Sequence, residues 1–214
     1  MNVTLASGSP QRSEILRKLG VEFEVVVPGI EELTGGDPEI EVLENARRKA
    51  HAVHDAASRA GGAVGGPTPE EALATAGGGG SPAATGPARL VVACDTDVIL
   101  DGNALGKPAD AAEAREYLDR MSGRGHTVLS GLVVLAGEEE LSGLEKTSVV
   151  FKALSEDEKE RYVEFGEWEG RSGGYAIQTL GSTLVERIEG SVSNVVGLPV
   201  GLLVGLAPEL FERG

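Results

Sequence analysis

The sequence predicts an α/β domain built on a mixed, twisted sheet with flanking helices, and three observations lead there. Apolar stretches suited to strands, such as residues 90–94 and 127–136, are interleaved along the whole chain with stretches of helical apolar spacing, such as Leu43, Ala46, Ala50, Val53 and Ala57. The breaks between them carry residues that cap helices or close turns, among them Ser9-Pro10, Asp101-Gly102 and Ser155-Glu156-Asp157-Glu158. The 214 residues, 41% of them apolar, suffice for one substantial core or two small lobes.

Leu5-Ala6-Ser7-Gly8-Ser9-Pro10 reads as a short strand running through a small-residue loop into a helix, with Ser9 as its N-cap and Pro10 at its first position. Ile15, Leu16 and Leu19 form that helix's apolar stripe, and Gly20 suits its C-terminal cap. Residues 21–27 are expected as a second strand and residues 38–57 as a second helix. From 58 to 89 the composition falls to Gly, Ala, Pro and Thr, which predicts a flexible insertion, with a weak helix conceivable over 70–76. Leu90-Val91-Val92-Ala93-Cys94 suits a central strand that ends at Asp95-Thr96-Asp97. After the Asp101-Gly102 turn come a helix over 111–121 and paired strands over 127–136 and 144–154, joined through Gly137-Glu138-Glu139-Glu140. The capping box at Ser155 opens a further helix that ends near Gly166. No internal repeat is present, so residues 1–214 are read as a single domain with two lobes.

The formal net charge of −15 argues against a nucleic-acid polymer as partner, because binding one requires a basic surface. No run approaches the roughly 18 apolar residues of a membrane helix, and the first residues lack the basic region of a signal peptide, so no membrane partner is expected. A single cysteine, Cys94, leaves no internal disulfide and fits a reducing compartment; the expected location is cytoplasmic. In so acidic a chain a small phosphorylated ligand must be held by particular cations, backbone amides or a metal.

Ser7-Gly8-Ser9-Pro10-Gln11-Arg12 offers small residues, a helix amino terminus and a guanidinium, although alone it is equally a capped helix with an exposed arginine. Asp95 follows a buried strand, where a carboxylate can bind a hard cation or take a proton from water; it can also simply cap a turn. Asp97 faces the same side if the strand continues, which makes a paired-carboxylate metal site conceivable. Lys49 borders the apolar stripe of the second helix, and Lys107 sits in the fixed backbone of Gly106-Lys107-Pro108. Glu31-Glu32 reads as a pair of loop acids and His126 as structural, since a lone histidine makes no metal site. The Gly-punctuated segments 173–178 and 190–199 suit a wall against a ligand or ordinary tight packing.

Taken together and in order, these segments resemble the Maf family of nucleoside triphosphate pyrophosphatases. The resemblance runs through Leu5-Ala6-Ser7-Gly8-Ser9-Pro10-Gln11-Arg12, Gly29-Ile30-Glu31-Glu32, Arg48-Lys49-Ala50, Cys94-Asp95-Thr96 and Gly106-Lys107-Pro108. It continues through Ser122-Gly123-Arg124-Gly125-His126, Gly173-Gly174-Tyr175-Ala176-Ile177-Gln178 and Asn194-Val195-Val196-Gly197-Leu198-Pro199. It implies an elongated two-lobed fold akin to inosine triphosphate pyrophosphatases, a site in the central cleft, a homodimer in many members, and a divalent cation, Mg²⁺ or Mn²⁺. It implies Asp95 as proton acceptor, Ser9, Arg12, Lys49 and Lys107 as holders of the triphosphate, and Glu32 with Asp95 at the metal. Gln11, Thr96 and Gln178 match the positions that choose the base. Thr96 and Gln178 resemble the subgroup acting on dTTP and UTP, whereas Gln11 stands where the family usually has arginine or tryptophan, and Cys94 where it usually has alanine. The expected activity is hydrolysis of dTTP and UTP to monophosphate and pyrophosphate. The alternatives are a 7-methyl-GTP pyrophosphatase, or a nucleotide-binding regulator of septum formation without essential catalysis.

Overall fold

A computed structural model describes residues 2–61 and 89–212. The possible helix over 70–76 and residues 62–88 of the expected insertion lie outside the described residues.

Seven strands form one sheet: β1 (Asn2–Ala6), β2 (Glu24–Val26), β3 (Arg89–Leu100), β4 (Asn103–Ala104), β5 (Gly125–Ala136), β6 (Glu139–Phe151) and β7 (Val185–Glu189). The order across it is β2-β1-β3-β5-β6-β7, with β4 paired to the end of β3. β1 is parallel to β2 and β3, and β3, β5, β6 and β7 pair antiparallel, so the sheet is mixed as expected. The helices are α1 (Pro10–Lys18), α2 (Pro38–Gly61), α3 (Ala111–Met121), α4 (Glu156–Phe165), α5 (Val192–Val196) and α6 (Val200–Leu206).

Local signals explain the helix ends. Ser9 caps α1 with Pro10 at the first position, the Asp110 carboxylate caps α3, and Ser155 with Glu158 closes the capping box of α4, which stops at left-handed Gly166. Several boundaries differ from expectation, among them those of β5, which starts at Gly125 rather than 127, and β6, which covers Glu139–Phe151 where 144–154 was expected, because its pairing with β5 continues up to the tight turn at Gly137. Residues 21–27 yield only the three-residue β2, because Val21 is buried beside α1 and Phe23 packs under Arg17 with the guanidinium 5.6 Å from the ring centroid. α2 runs on to Gly61, beyond the expected 57. β3 does not stop at Cys94: its ladder with β5 is unbroken from Leu90↔Ala136 to Ile99↔Thr127. Backbone pairing ignores which side chains are polar, and so it crosses Asp95-Thr96-Asp97 where the apolar pattern stops.

The two faces of β3 enter different cores. Leu90, Val92 and Cys94 pack with Leu5, Leu16, Leu132, Leu198 and Leu203, while Val91 and Ala93 lie under Ala46, Ala50 and Val53 of α2. Beyond the polar triplet, Val98 and Leu100 join a third cluster with Leu118, Met121, Phe151 and Tyr162. Asp95, Thr96 and Asp97 therefore fall between packed ends of the molecule, and the gap there is a cleft of about 660 Å³.

α2 approaches the sheet unusually closely. A Cβ placed on Gly131 of β5 would lie 2.4 Å from the Val42 carbonyl oxygen and 2.7 Å from the Leu43 Cα, so the crossing exists only because Gly131 has no side chain. Gly131 is also the cross-strand partner of Asp95. The close crossing thus occurs beside the polar middle of β3.

Candidate active site

Asn45 and Lys49, four residues apart on α2, both reach Asp95. Lys49 Nζ lies 2.6 Å from Asp95 Oδ1, and Asn45 Nδ2 donates to Oδ2 at 3.1 Å. Lys49 Nζ also pairs with Glu32 Oε1 at 2.5 Å. Asn45 in turn clamps the loop that carries Glu32, accepting from the Leu33 amide at 2.7 Å and donating to its carbonyl at 3.1 Å. Lys49 is 7% and Asp95 8% exposed, so the pair is largely out of water and its geometry is held by these bonds. Asp97, two residues along the same face, accepts from the Ser172 hydroxyl at 2.7 Å. Burial pushes its carboxyl up to about 6; the Ser172 bond opposes the shift, and the charges of Asp95, Glu32 and Glu41 add to it.

Arg12 occupies the other face. Its Nε donates to the Gly197 carbonyl at 2.8 Å, Nη1 to Ser7 Oγ at 3.0 Å and Nη2 to Thr96 Oγ1 at 3.1 Å. All three partners are neutral, so a buried guanidinium is fixed in place without losing its charge. Thr96 also shares a 2.8 Å bond with Ser130 Oγ. Thr96, which the resemblance places at the base, lines the cleft and accepts from Arg12, because alternation along β3 turns its hydroxyl to the side opposite Asp95. Gln178 is exposed on the cleft wall. Ser9 receives the Arg12 amide at 3.5 Å and donates its own amide to Ser7 Oγ at 3.2 Å. In the amide orientation that satisfies all its neighbours, Gln11 donates to Ser9 Oγ at 3.0 Å and accepts from Arg171 Nη1 and Nη2 at 2.9 and 3.2 Å.

Lys107 is exposed at the rim, on a loop whose Gly106 carbonyl accepts from the Gly173 amide at 2.6 Å. His126 sits in the far core, not in the cleft: its Nε2 is 2.8 Å from the Tyr175 hydroxyl, its ring meets Phe151 and Tyr175 edge-on, and burial pushes its pKa down to about 4. Sequence reasoning missed Asn45, Arg171 and Ser172. Only Asn45 left a trace, one helical turn before Lys49.

Charge is distributed unevenly. Elsewhere cations are neutralised locally, as in Arg47 with Glu44 and Glu140, Lys146 with Glu39, and Lys159 with Asp119 and Glu156. In the cleft, Arg12, Lys107 and Arg171 form no ion pair among the described residues. The cleft therefore joins a set of carboxylates on one side to uncompensated cations on the other, an arrangement suited to a polyanion carrying a hard cation.

The donor set can be tested against a divalent ion. Among the described residues no group of three or more His, Cys, Asp or Glu side chains could hold one. Glu32 is half-exposed and Asp95 keeps lone pairs beyond those taken by Lys49 and Asn45. One or two carboxylates completed by phosphate oxygens is the usual magnesium arrangement, and these residues fit it.

Comparison with known proteins bears on the same residues. The chain is 40% identical over 205 residues to a Deinococcus radiodurans protein named dTTP/UTP pyrophosphatase, covering 95% of this chain and 90% of that one. It is 41% identical over 206 residues to a Myxococcus xanthus protein of the same name, again covering 95% and 90%. A Symbiobacterium thermophilum protein of that name is 39% identical over 198 residues, covering 92% and 87%. The family described as Maf-like protein matches residues 2–210. With its cleft residues drawn from across that span, the chain belongs to the Maf-like protein family.

Proposed function

We propose that this protein hydrolyses nucleoside triphosphates, dTTP and UTP above all, to the monophosphate and pyrophosphate. The observation that carries the reading is the buried Asp95 carboxylate, gripped by Lys49 and Asn45 in a cleft whose Arg12, Lys107 and Arg171 have no ion-pair partner among the described residues. Three relatives matched over nearly the whole chain bear the name dTTP/UTP pyrophosphatase, which supports the choice of nucleotide.

In this mechanism the triphosphate lies along Arg12, Lys49 and Lys107, with Ser9 at the start of α1 contributing a hydroxyl. Asp95 orients and deprotonates a water for attack between the α- and β-phosphates, and the proton passes to its carboxylate. Lys49, already at hydrogen-bond distance from Asp95 Oδ1, keeps that oxygen in place and offsets negative charge as the pyrophosphate leaves. Glu32 and Asp95 would hold Mg²⁺ or Mn²⁺ together with phosphate oxygens, and the ion would supply charge neutralisation on the phosphates. Gln178 presents an amide to the base, where an unpaired polar group penalises the wrong edge. Gln11 keeps 7-methyl-GTP open as a competing substrate. The proposed setting is cytoplasmic, in keeping with a lone buried cysteine, and the proposed assembly is a homodimer, checked by sedimentation.

A panel of nucleoside triphosphates, with pyrophosphate and inorganic phosphate measured separately, tests the proposal. One pyrophosphate per monophosphate from dTTP and UTP is expected. Release of inorganic phosphate, or no turnover of any nucleotide with Mg²⁺ or Mn²⁺ present, overturns it.

A further inference from the structure

Arg171 is the cleft residue that neither the sequence pattern nor the resemblance singles out. Its backbone belongs to the side of the cleft built by α4: the Arg171 amide donates to the Trp168 carbonyl at 3.2 Å and Nε to the Glu167 carbonyl at 2.8 Å, while the next residue, Ser172, is anchored to Asp97 and to the Val98 amide. Its guanidinium ends on the opposite side, with both terminal nitrogens at 2.9 and 3.2 Å from the end of the Gln11 side-chain amide, which must present its oxygen there because a guanidinium can only donate. The fork is therefore aimed at one neutral acceptor beside Ser9 and Arg12, at the start of α1. It has no carboxylate partner among the described residues, in a chain of formal net charge −15.

A guanidinium spanning a cleft to reach a neutral amide has an obvious stronger acceptor, a phosphate oxygen, which accepts from both terminal nitrogens and neutralises the charge as well. Gln11 occupies the position where the resemblance leads one to expect an arginine or a tryptophan. We propose that Arg171 is a substrate-binding residue of this chain: it exchanges Gln11 for the polyphosphate tail of the nucleotide, and so brings to position 11, from across the cleft, a cation that Gln11 does not provide. The inference rests on the proposed nucleotide substrate. Gln11 then acts as a positioning residue, holding the fork near the tail while leaving its charge uncompensated.

Titration calorimetry with Mg²⁺, using the uncleavable analogue α,β-methylene-dTTP and dTMP as probes, separates the possibilities. Arg171→Ala is expected to weaken the analogue by about tenfold or more, the value of one lost hydrogen-bonded charge, and to change dTMP by less than about twofold. Gln11→Glu is expected to weaken the analogue comparably, because a carboxylate at that position neutralises the fork, whereas Gln11→Ala should cost less. Arg171→Lys, which keeps the charge and much of the stem, is expected to recover part of the loss and serves in its place if the alanine variant does not fold. Unchanged analogue affinity in Arg171→Ala, or in Arg171→Lys and Gln11→Glu together, overturns the proposal. Equal losses for the analogue and dTMP also overturn it, since they place Arg171 away from the tail. A wild type that binds neither probe instead removes the nucleotide reading itself, and this inference with it.

Discussion

At the scale of single residues, Asp95 and its neighbours allow chemistry and stability to be separated. Asp95→Asn removes a basic carboxylate and almost no volume, and Lys49 keeps Glu32 at 2.5 Å. Turnover is expected to fall by roughly 10²-fold or more while the melting temperature stays close to wild type. A folded variant with near-normal turnover removes Asp95 from the mechanism. Lys49→Ala and Lys107→Ala should each reduce kcat/KM by about 2–4 kcal/mol of transition-state stabilisation, but with different side effects. Lys49 is buried between two carboxylates, so its loss also leaves unpaired charge and lowers stability, whereas exposed Lys107 has no ion pair among the described residues and its loss should leave the melting temperature alone. Comparing kcat/KM with thermal unfolding for both variants checks this; equal destabilisation contradicts it. Gln178→Glu should erode a preference for dTTP and UTP over 7-methyl-GTP of at least about tenfold, because a carboxylate repels a base edge that presents carbonyl oxygens. A wild type that prefers 7-methyl-GTP removes the pyrimidine assignment and leaves the reaction standing.

At the scale of elements, the site depends on how closely α2 lies on β5. Lys49 and Asn45 can grip Asp95 because Gly131, directly opposite it, allows the Val42 carbonyl to sit where a methyl group would otherwise be. Gly131→Ala must therefore lift α2 or shear it along the sheet, at a cost of about 1–3 kcal/mol, the usual penalty for overpacking. Because the shift acts on two Asp95 contacts at once, kcat/KM should fall by more than the stability loss alone explains. Denaturant unfolding and steady-state kinetics on the same preparation check this, and an alanine variant with wild-type values for both shows that α2 does not position the site. Much of this element level was legible in the chain: the capped starts of α1 and α4, the span of α3 and the helical spacing of α2 all follow from local rules. The length of β3 was not. An apolar count detects burial of faces, and β3 carries polar residues where its faces meet the cleft, although its backbone pairing never lapses.

At the scale of the whole molecule, two buried titratable groups give opposing pH dependences. His126 has its folded pKa pushed by burial from the ordinary imidazole value of 6.5 down to about 4, so the folded state resists a proton that the unfolded chain accepts. Its contribution is complete above pH 6.5 and is lost as pH falls toward 4, at up to about 1.4 kcal/mol per pH unit. Asp97 has its carboxyl raised from 3.8 to about 6, so the folded state takes up a proton before the unfolded chain does, and its penalty at neutral pH is relieved as pH falls through 6. Between pH 6 and 4 the two trends oppose each other. Asp97→Asn should therefore make stability fall more steeply with acid than in wild type, and replacing His126 with Gln should flatten or invert the trend. Denaturant midpoints measured from pH 7 to pH 4.5 decide it, and parallel curves for all three proteins exclude both assignments.

The chain alone determined its class, its capped helices, the candidates Asp95, Lys49, Arg12 and Lys107, and the family resemblance, because each rests on local propensity or on a short contiguous motif. Tertiary structure decided how these candidates meet. Asn45 reaches Asp95 from 50 positions away, Thr96 is taken by Arg12 over a separation of 84, and Gln11 and Arg171 touch across the cleft. The physical reason is that a contact of this kind depends on where β3 is polar, how near Gly131 lets α2 come, and which side of a strand a hydroxyl occupies. Each of these is a property of packing between distant segments, and no window of neighbouring residues contains it.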